Sequence, residues 1–376
     1  VPNKVAKCPY SSFDPMIVLE TLNKLKPTFS VGPDGLCSYF IKKLKGILCF
    51  PLSTIFEVSY RTSKLPKIWS TAHVIPVFKK NNPYLVENYR PISLCCVTCK
   101  IMETIINSKI LKHLTDNKII TNRQHGFSKG KSCQTQLLHC QMAWLSSLDR
   151  KQHVDVVYID FAKAFDSVVH EKLILKLRNV GIEGLSLLWI SAFLKNRTQS
   201  VKIKNSLSDQ LSVSSGVPQG SVLGPTLFNI FINDLVDYIE YSDIFLFADD
   251  VKLFSENPTQ LQSDLLNFTE WAYKWQLEIS VKKCCVLHLG SNYPNVDYSL
   301  GNTVLSSERI VKDLGLHISD KLSFTSHCNA LFQKCSRISS LICKTFLSKD
   351  LNLKLKAFKA YVVPILDYCS SIYNPY

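Results

Sequence analysis

The sequence predicts an α+β fold in which short strands lie between two helical regions. Helical apolar spacing dominates the residues up to about Leu65 and again those after about Phe324, and short apolar runs typical of buried strands lie between them. Such a mixture of strands and separate helices is typical of the α+β class. Hydrophobic residues make up 46% of the 376 residues, so the chain is expected to bury a sizeable core.

The first predicted elements are helices followed by a strand. Ile17 to Lys26 and Ser38 to Ile47 have apolar residues at helical spacing, and the turn at 32–35 (Gly-Pro-Asp-Gly) separates them. Ala72 to Val77 predicts a strand that ends before two lysines. The next helix is indicated by a single apolar stripe from Ile101 to Leu114.

The middle of the chain predicts strands and helices in irregular order. In sequence they are a strand ending near Asp160, a helix from about His170 to Val180, a hairpin-like segment at Ser200 to Lys204, an amphipathic helix from Leu227 to Ile239, a hairpin at Asp249-Asp250, a helix ending at Trp275, and strands at Val286 to Leu289 and Ile310 to Leu316. Thr259 and Gln262 predict a capping box for the helix that ends at Trp275.

Two predicted strands carry carboxylates where apolar side chains are expected. Asp160 lies within the apolar run 154–161. Asp249 and Asp250 interrupt a second apolar run, 244–254. Two like charges about 4 Å apart repel by roughly 4 kcal/mol at an effective dielectric near 20, so acids in buried strands need compensating cations. The three carboxylates therefore indicate a site for two divalent ions of the kind that support displacement at phosphorus. The alternative is an exposed Asp160 and an ordinary turn at Asp249-Asp250.

Charge and composition restrict the classes of partner and compartment. A net charge of +14 favours a polyanionic partner, and Lys and Arg outnumber Asp after Ser319. No apolar run reaches the ~18 residues that a membrane-spanning helix needs. The 14 Cys, without a secretory pattern at Val1 to Lys4, indicate free thiols in a reducing, intracellular compartment. Because the chain lacks an initiator methionine, we expect a fragment of a longer protein.

A series of short motifs extends in order over nearly the whole chain. They are Asn88 to Leu94 (NYRPISL), Gln124 to Phe127 (QHGF) with Lys131-Ser132, Tyr158 to Val168 (YIDFAKAFDSV), Gly216 to Pro225 (GVPQGSVLGP), Phe247 to Asp250 (FADD), Leu277 to Lys283, and Tyr361 to Pro375 (YVVPILDYCSSIYNP). Together they resemble the reverse transcriptases of non-LTR retrotransposons, of the jockey-like type. The glycine-bearing motif at 216–221 lacks the Gly-Lys-Ser/Thr ending of a phosphate-binding P-loop, which excludes that interpretation.

The resemblance implies an α+β right-hand polymerase with fingers, a palm of antiparallel sheet plus helices, and a helical thumb. Its regions would be an N-terminal helical extension at 1–60, fingers and palm at 61–318, and part of the thumb at 319–376. The implied reaction is RNA-directed DNA polymerisation, in which dNTPs are added to a primer 3′-hydroxyl on RNA and also DNA templates. The implied cofactor is Mg²⁺, as two ions, with Mn²⁺ as an alternative.

The resemblance also implies the setting of the reaction. The partners would be an RNA template, a DNA primer and dNTPs, with no membrane, and the location would be the nucleus. Integration of an element's own RNA at a primed target needs an endonuclease, which we expect upstream in the full-length element. Two alternatives remain open: a catalytically silent nucleic-acid-binding remnant of a mobile element, and another reverse transcriptase lineage such as a group II intron maturase.

The catalytic roles follow from the same resemblance. Asp160 and Asp249 would be the principal metal ligands, with Asp250 adjacent. The alternative for Asp250 is a supporting structural role. The backbone carbonyl of Phe161 would also face a metal. Lys283 matches the lysine that protonates the leaving pyrophosphate. Its motif departs from the family pattern at position 280, where Ser replaces the usual Asn.

Further residues would bind the incoming nucleotide. Arg90 suits a triphosphate because a guanidinium binds phosphate oxygens bidentately, and either Lys79 or Lys80 would add a second charge. Phe165, five residues after Asp160, would be the steric gate that excludes a ribose 2′-hydroxyl, with an ordinary core aromatic as the alternative. Gln219 would contact nucleotide or template, or else stabilise its own loop. Asp166 is expected to make a structural hydrogen bond.

Overall fold

The computed structural model of the chain describes residues 6–80, 82–290, 296–346 and 350–373. Two sequence interpretations depend in part on residues outside these ranges. One is the lack of a secretory pattern at Val1 to Lys4, and the other is the C-terminal motif, which extends to Asn374 and Pro375. Helices and strands follow one another irregularly, which confirms the predicted α+β class. Among the described residues, no helix is both long and apolar enough to span a lipid bilayer.

The helices are distributed along the whole of the described chain. They are α1 (Pro15–Lys24), α2 (Ser38–Lys43), α3 (Lys45–Thr62), α4 (Val97–Asp116), α5 (Cys133–Asp149), α6 (His170–Asn179), α7 (Gly184–Leu194), α8 (Gly224–Ile232), α9 (Pro258–Trp275), α10 (Thr325–Thr345), α11 (Leu351–Tyr361), α12 (Val363–Asp367) and α13 (Ser370–Tyr373). Short 3₁₀ turns, at Asn233–Tyr238 and Val281–Lys283 among other places, connect several of the elements.

The described strands lie between residues 71 and 319. They are β1 (Thr71–Phe78), β2 (Tyr89–Leu94), β3 (Val154–Ile159), β4 (Arg197–Ile203), β5 (Ser206–Leu207), β6 (Leu211–Val213), β7 (Asp243–Phe247), β8 (Asp250–Ser255), β9 (Cys285–Leu289), β10 (Ser299–Leu300), β11 (Thr303–Val304), β12 (Ser306–Glu308), β13 (Ile310–Asp313) and β14 (Leu316–Ser319).

The chain folds into two compact units, and each unit is built from three separate segments. Unit 1 comprises Val1–Asn122, Phe161–Leu235 and Ala272–Glu278. Unit 2 comprises Arg123–Asp160, Val236–Trp271 and Ile279–Tyr376.

The sheet of unit 1 is built around β1. This strand pairs with β2 antiparallel and with β4 parallel, and β5 and β6 both pair with β4. The register places Val77 opposite Arg90, and the backbone N–H of Lys79 extends the ladder by donating to Asn88 O over 2.8 Å. Two basic positions of the sequence analysis, Lys79 and Arg90, therefore lie near the same end of the β1–β2 pair.

The sheet of unit 2 has β3 at its centre, in the strand order β12-β9-β3-β8-β7. Both neighbours of β3 run antiparallel to it, and Val156 pairs with Leu287 on one side and Phe254 on the other. Trp144 of α5 covers this sheet, with its ring centroid 5.9 Å from that of Phe254. Residues 156–159 of β3 are apolar and mostly buried, as expected for a strand covered on its faces at the centre of a sheet.

Charged side chains are also buried in unit 2, each with a partner. Lys252 Nζ lies 2.5 Å from Asp313 Oδ2, and the two side chains are only 2% and 4% exposed. Asp155 accepts hydrogen bonds from His288 Nδ1, over 2.7 Å, and from the hydroxyl of Tyr298. Burial of such groups is tolerated when hydrogen bonds and opposite charges compensate the lost hydration.

Most predicted elements are present, but several boundaries and one cap were wrong. The helix predicted from Ser38 to Ile47 is interrupted at Leu44, just before Gly46, a weak helix former. The strand predicted from Ile310 to Leu316 is the hairpin β13–β14. Asn257, rather than Thr259, caps α9, because its side-chain oxygen accepts from two N–H groups of the first turn.

Two helices, α5 and α7, were not predicted from the sequence. α7 is apolar almost throughout and largely buried, so it lacks the alternation of polar and apolar faces that reveals a helix. In α5 the buried set includes Gln136 and Ser147, which break its apolar stripe.

The buried ion pair of unit 2 generates a prediction about stability. Lys252→Met should lower the free energy of unfolding by about 3–5 kcal/mol, because the Asp313 carboxylate is then buried without its cation. Arg150→Met is the matched control: it breaks the solvent-exposed pair with Glu256 and should cost under about 1 kcal/mol. Urea denaturation measures both, and equal losses in the two variants would contradict the assignment. Lys252→Met combined with Asp313→Leu should recover most of the loss.

Candidate active site

The strand register of unit 2 brings the three predicted carboxylates to one edge of its sheet. Ile159, the last residue of β3, pairs with Val251 of the antiparallel strand β8. One step further along this register, Asp160 lies opposite Asp250. Phe247 and Asp250 close the β7–β8 hairpin, so Asp249 lies in the two-residue turn beside them.

The turn of this hairpin is strained. Ala248 has a φ of 55°, in the left-handed region that residues with a Cβ avoid. A conformation of this kind costs on the order of 1–3 kcal/mol and persists where surrounding contacts impose it. The residue that carries the strain directly precedes Asp249.

The motif at 124–127 supplies those contacts. Gln124 Oε1 accepts from the N–H of Ala248 over 2.9 Å and from that of Gly126 over 2.8 Å. The Nε2 group of Gln124 faces Ala248 O at 3.5 Å. A Cβ on Gly126 would lie 2.3 Å from Ala248 N, so only glycine allows this approach.

The carboxylates repel one another. The pKa of Asp250 rises from 3.8 to about 6 because burial desolvates its carboxylate and because the charges of Asp249 and Asp160 lie nearby. Asp313 adds to the rise, and Lys252 opposes it. Although part of the Asp250 surface reaches solvent, many protein atoms surround its carboxylate. The arrangement therefore favours a bound cation.

The loop after α9 surrounds Asp160. Lys283 Nζ lies 3.0 Å from Asp160 Oδ2, the N–H of Ser280 donates to Asp160 O over 2.8 Å, and Cys284 Sγ lies 3.5 Å from Asp160 N. Since Ser280 makes this contact through its backbone, the substitution of Ser for Asn there does not remove it. The Lys283 side chain is 65% exposed, so its ammonium group is able to leave the carboxylate.

Oxygen ligands of this type match the preferences of Mg²⁺, and the mutual repulsion at Asp250 supplies the electrostatic reason for a divalent ion. Over the ranges that the structure describes, no three His, Cys, Asp or Glu side chains are already grouped as a metal site. The donor set thus fits a divalent ion in its chemistry.

In unit 1 a second group of predicted residues forms around the turn after β3. The N–H of Val217 donates to Phe165 O, and that of Gly216 donates to Val168 O, both over 2.8 Å. Gly216 has a φ of 87°, and a Cβ there would lie 2.6 Å from Asp166 O. The glycine is therefore required by a close approach between two backbone segments.

Gln219 is held from two sides in the same unit. Its Nε2 donates to Asp166 Oδ1 over 2.9 Å, and its backbone O accepts from the N–H of Ser93 over 2.7 Å. Asp166 therefore makes a structural hydrogen bond of the expected kind. Burial raises the pKa of Asp166, while Gln219, Lys163 and Lys79 lower it, so the Lys79 charge lies near this group.

The remaining predicted residues of unit 1 differ in exposure. Phe165 is half-buried and stacks on Phe228, with ring centroids 4.4 Å apart. Arg90 and Lys80 are exposed, as is Lys79. The Phe161 side chain is buried, so a role at a metal would fall to its backbone carbonyl.

Sequence reasoning gave no role to two residues that organise these motifs. Gln124 was recognised only as part of a motif. Glu103, fully buried in α4, accepts from the N–H groups of Val222 and Leu223 at the end of the 216–225 motif. The sequence does mark Glu103, because its carboxylate interrupts the apolar stripe of α4, four residues from Cys99 and three from Ile106.

Residues 78–318 match the family of reverse transcriptases (RNA-dependent DNA polymerases). The chain belongs to the reverse transcriptase family. The match covers both the carboxylate edge of unit 2 and the Gln219 loop of unit 1. Family membership and the mixed architecture together confirm the expected α+β right-hand polymerase class.

Proteins of mobile elements are among the relatives of this reverse transcriptase. The chain is 28% identical over 368 residues to a probable RNA-directed DNA polymerase from transposon BS of Drosophila melanogaster, with 92% of this chain and 40% of that protein covered. RNA-directed DNA polymerases from the mobile element jockey are 29% identical over 379 residues in Drosophila melanogaster and 30% identical over 377 residues in Drosophila funebris, with 95% of this chain and 41% of each protein covered.

These relatives confirm the resemblance to non-LTR, jockey-like reverse transcriptases, and RNA-directed DNA polymerase is the enzyme class for which they are named. The chain spans about two fifths of their length. Among solved structures, an apo telomerase from Candida tropicalis, truncated from its C-terminal domain, aligns at 11% identity and a TM-score of 0.48 over 74% of this chain and 59% of that one.

The charge repulsion at Asp250 has a consequence for stability. Because its folded pKa is raised, the unfolded chain ionises more readily, and the protein should lose stability as the pH rises from about 4 to about 6. Asp250→Asn should therefore raise the melting temperature at about pH 7.5 in the presence of a chelator. At about pH 4 the gain should vanish, since wild-type Asp250 is then largely protonated. A gain of equal size at both pH values would rule out charge repulsion as its cause.

Proposed function

We propose that this chain carries the polymerase active site of a non-LTR retrotransposon and adds dNTPs to a primer 3′-hydroxyl under the direction of an RNA template. The observation that carries the proposal is the meeting of Asp160, Asp249 and Asp250 at one sheet edge, where their repulsion favours bound cations. Asp160 and Asp249 would be the principal ligands of two Mg²⁺ ions, or of Mn²⁺, with Asp250 and the Phe161 carbonyl beside them.

Divalent ions bound there would lower the pKa of the primer hydroxyl and neutralise charge on the triphosphate. The primer 3′-oxygen then forms a bond to the α-phosphorus while the bond to pyrophosphate breaks, and the hydroxyl proton is released. Lys283 Nζ would supply a proton to the leaving pyrophosphate. Its exposed side chain and its position beside Asp160 support this role.

Residues of unit 1 would select and bind the nucleotide. Arg90, exposed on β2, would bind the triphosphate, and Lys79 is favoured over Lys80 because its charge reaches Asp166, the partner of Gln219. Gln219 would contact nucleotide or template from a loop held by Asp166 and Ser93. Phe165 would act as the steric gate, for which its half-buried ring is suited.

The setting of the reaction is part of the same proposal. Residues 1–60 would form a helical extension, 61–318 the fingers and palm, and 319–376 part of the thumb, with an RNA template and a DNA primer as partners. Since the chain spans about two fifths of the relatives' length, an upstream endonuclease and nuclear integration would belong to the whole element.

The proposed metal ligands give a direct test. Asp160→Asn or Asp249→Asn should abolish Mg²⁺-dependent dNTP incorporation on a primed RNA template while the protein stays folded, because one ligand charge is lost. Asp149→Asn, at the exposed end of α5, is the matched control and should keep wild-type activity. If either ligand variant extends the primer at nearly the wild-type rate, the site assignment is wrong.

The proposed steric gate gives an independent test. Phe165→Val should raise the rNTP-to-dNTP efficiency ratio by about tenfold or more, since each ~1.4 kcal/mol of discrimination corresponds to a factor of ten. Phe193, a buried aromatic of α7 in the same unit, provides the control: Phe193→Val should lower the melting temperature and leave the ratio unchanged. Should Phe165→Val behave like this control, Phe165 is a packing residue and the gate lies elsewhere.

A further inference from the structure

The amide of Gln124 contacts backbone atoms of the hairpin turn and of its own segment. Gln124 is only 1% exposed, so the hydrogen bonds of its side chain form away from bulk water. Its Oε1 accepts from two N–H groups, those of Ala248 and Gly126, and its Nε2 lies within reach of Ala248 O. The N–H and the carbonyl oxygen of Ala248 thus both contact the Gln124 side chain.

The backbone around Gln124 fixes the position of that amide. Residues 123–125 add a short parallel bridge to β7, in which the N–H of Leu246 donates to Arg123 O over 3.0 Å and the N–H of His125 donates to Leu246 O over 2.8 Å. Lys131 Nζ lies 3.1 Å from Gln124 O. The segment is therefore registered against the strand that leads into the strained turn.

From these contacts we infer that Gln124 is a positioning residue: it holds Ala248 in the left-handed conformation and so directs Asp249 toward the ions. The inference rests on the proposed polymerase function. Without the amide, the buried N–H of Ala248 loses this acceptor, and the side-chain contacts that support the unfavourable φ are removed. The turn then relaxes, and the Asp249 carboxylate, attached to the next residue, changes direction.

A matched pair of substitutions tests the inference. Gln124→Met keeps the length of the side chain and removes its hydrogen bonds. Gln136→Met makes the same change at a buried glutamine of α5, in the same unit, whose side-chain nitrogen and oxygen have no hydrogen-bond partner among the described residues. We expect Gln124→Met to lower kcat by about tenfold or more, with a smaller change in the KM for dNTP, and Gln136→Met to leave both unchanged.

Metal binding gives a readout that does not depend on turnover. Because Asp249 is a proposed ligand, Gln124→Met should weaken the binding of Mn²⁺ to the protein without nucleic acid, measured by the electron paramagnetic resonance signal of free Mn²⁺. Gln136→Met should bind Mn²⁺ as the wild type does. A purely structural role for Gln124 would lower the melting temperature and leave the affinity of the folded protein for Mn²⁺ unchanged, which would overturn the inference.

Rescue by glycine separates the proposed role from any other. Glycine adopts a positive φ without the penalty that Ala248 bears, so Ala248→Gly should need Gln124 less. Added to Gln124→Met, it should restore a substantial part of kcat and of Mn²⁺ affinity, whereas alone it should change little. Failure of the glycine to restore either quantity would show that Gln124 does not act through the Ala248 conformation.

A further variant covers the case in which Gln124→Met does not fold. Gly126→Ala retains the amide but places a Cβ only 2.3 Å from the present position of Ala248 N, and it should likewise reduce kcat and Mn²⁺ affinity. Wild-type values in a folded Gly126→Ala protein would overturn the inference. If the wild type and Gln136→Met themselves fail to extend a primer, the proposed function is wrong, whereas an active wild type with an equally active Gln124→Met defeats only the inference.

Discussion

Repulsion among three carboxylates at one sheet edge is the main physical constraint on the candidate site of unit 2. Asp160 and Asp250 are neighbours because β3 and β8 pair antiparallel, and Asp249 joins them because the hairpin turns at that point. A sheet with fixed register cannot separate these groups without losing its ladder, so the repulsion is built into the backbone. It is expressed in the raised pKa of Asp250.

Backbone contacts around the two proposed groups follow a common pattern. In unit 2, Ser280 and Gln124 bind the main chain next to the carboxylates and leave the carboxylate oxygens to other partners. In unit 1, Gly216 and Gly220 allow backbone to approach Asp166 and Ser93 so closely that a Cβ would overlap them. Main-chain contacts of this kind fix direction, whereas the side chains stay available for chemistry.

The sequence indicated the three carboxylates more clearly than it indicated the scaffold around them. Acids in apolar runs were visible because a carboxylate at 160 or 249 contradicts its neighbours in hydrophobicity. The helix α7 was not visible, because a helix that is apolar almost throughout has no polar face to set its period. The role of Gln124 was also beyond sequence reasoning, since it depends on the φ of a residue 124 positions away. Glu103, by contrast, left a signal in the apolar stripe of α4.

The buried pair between Lys252 and Asp313 explains why the Lys252 charge does little to neutralise the carboxylate edge. Lys252 lies two residues after Asp250, on the same face of β8, and its charge does lower the pKa of Asp250. Its ammonium group, however, is bound by Asp313, whose own charge acts on Asp250 in the opposite direction. The buried cation is thereby largely cancelled at the carboxylate edge. Lys283 is a second cation at this edge, and because its side chain is mostly exposed it can move away from Asp160 at little cost in hydration. A fixed internal cation would compete permanently with a divalent ion for the carboxylates, whereas an exposed lysine would compete only until such an ion bound.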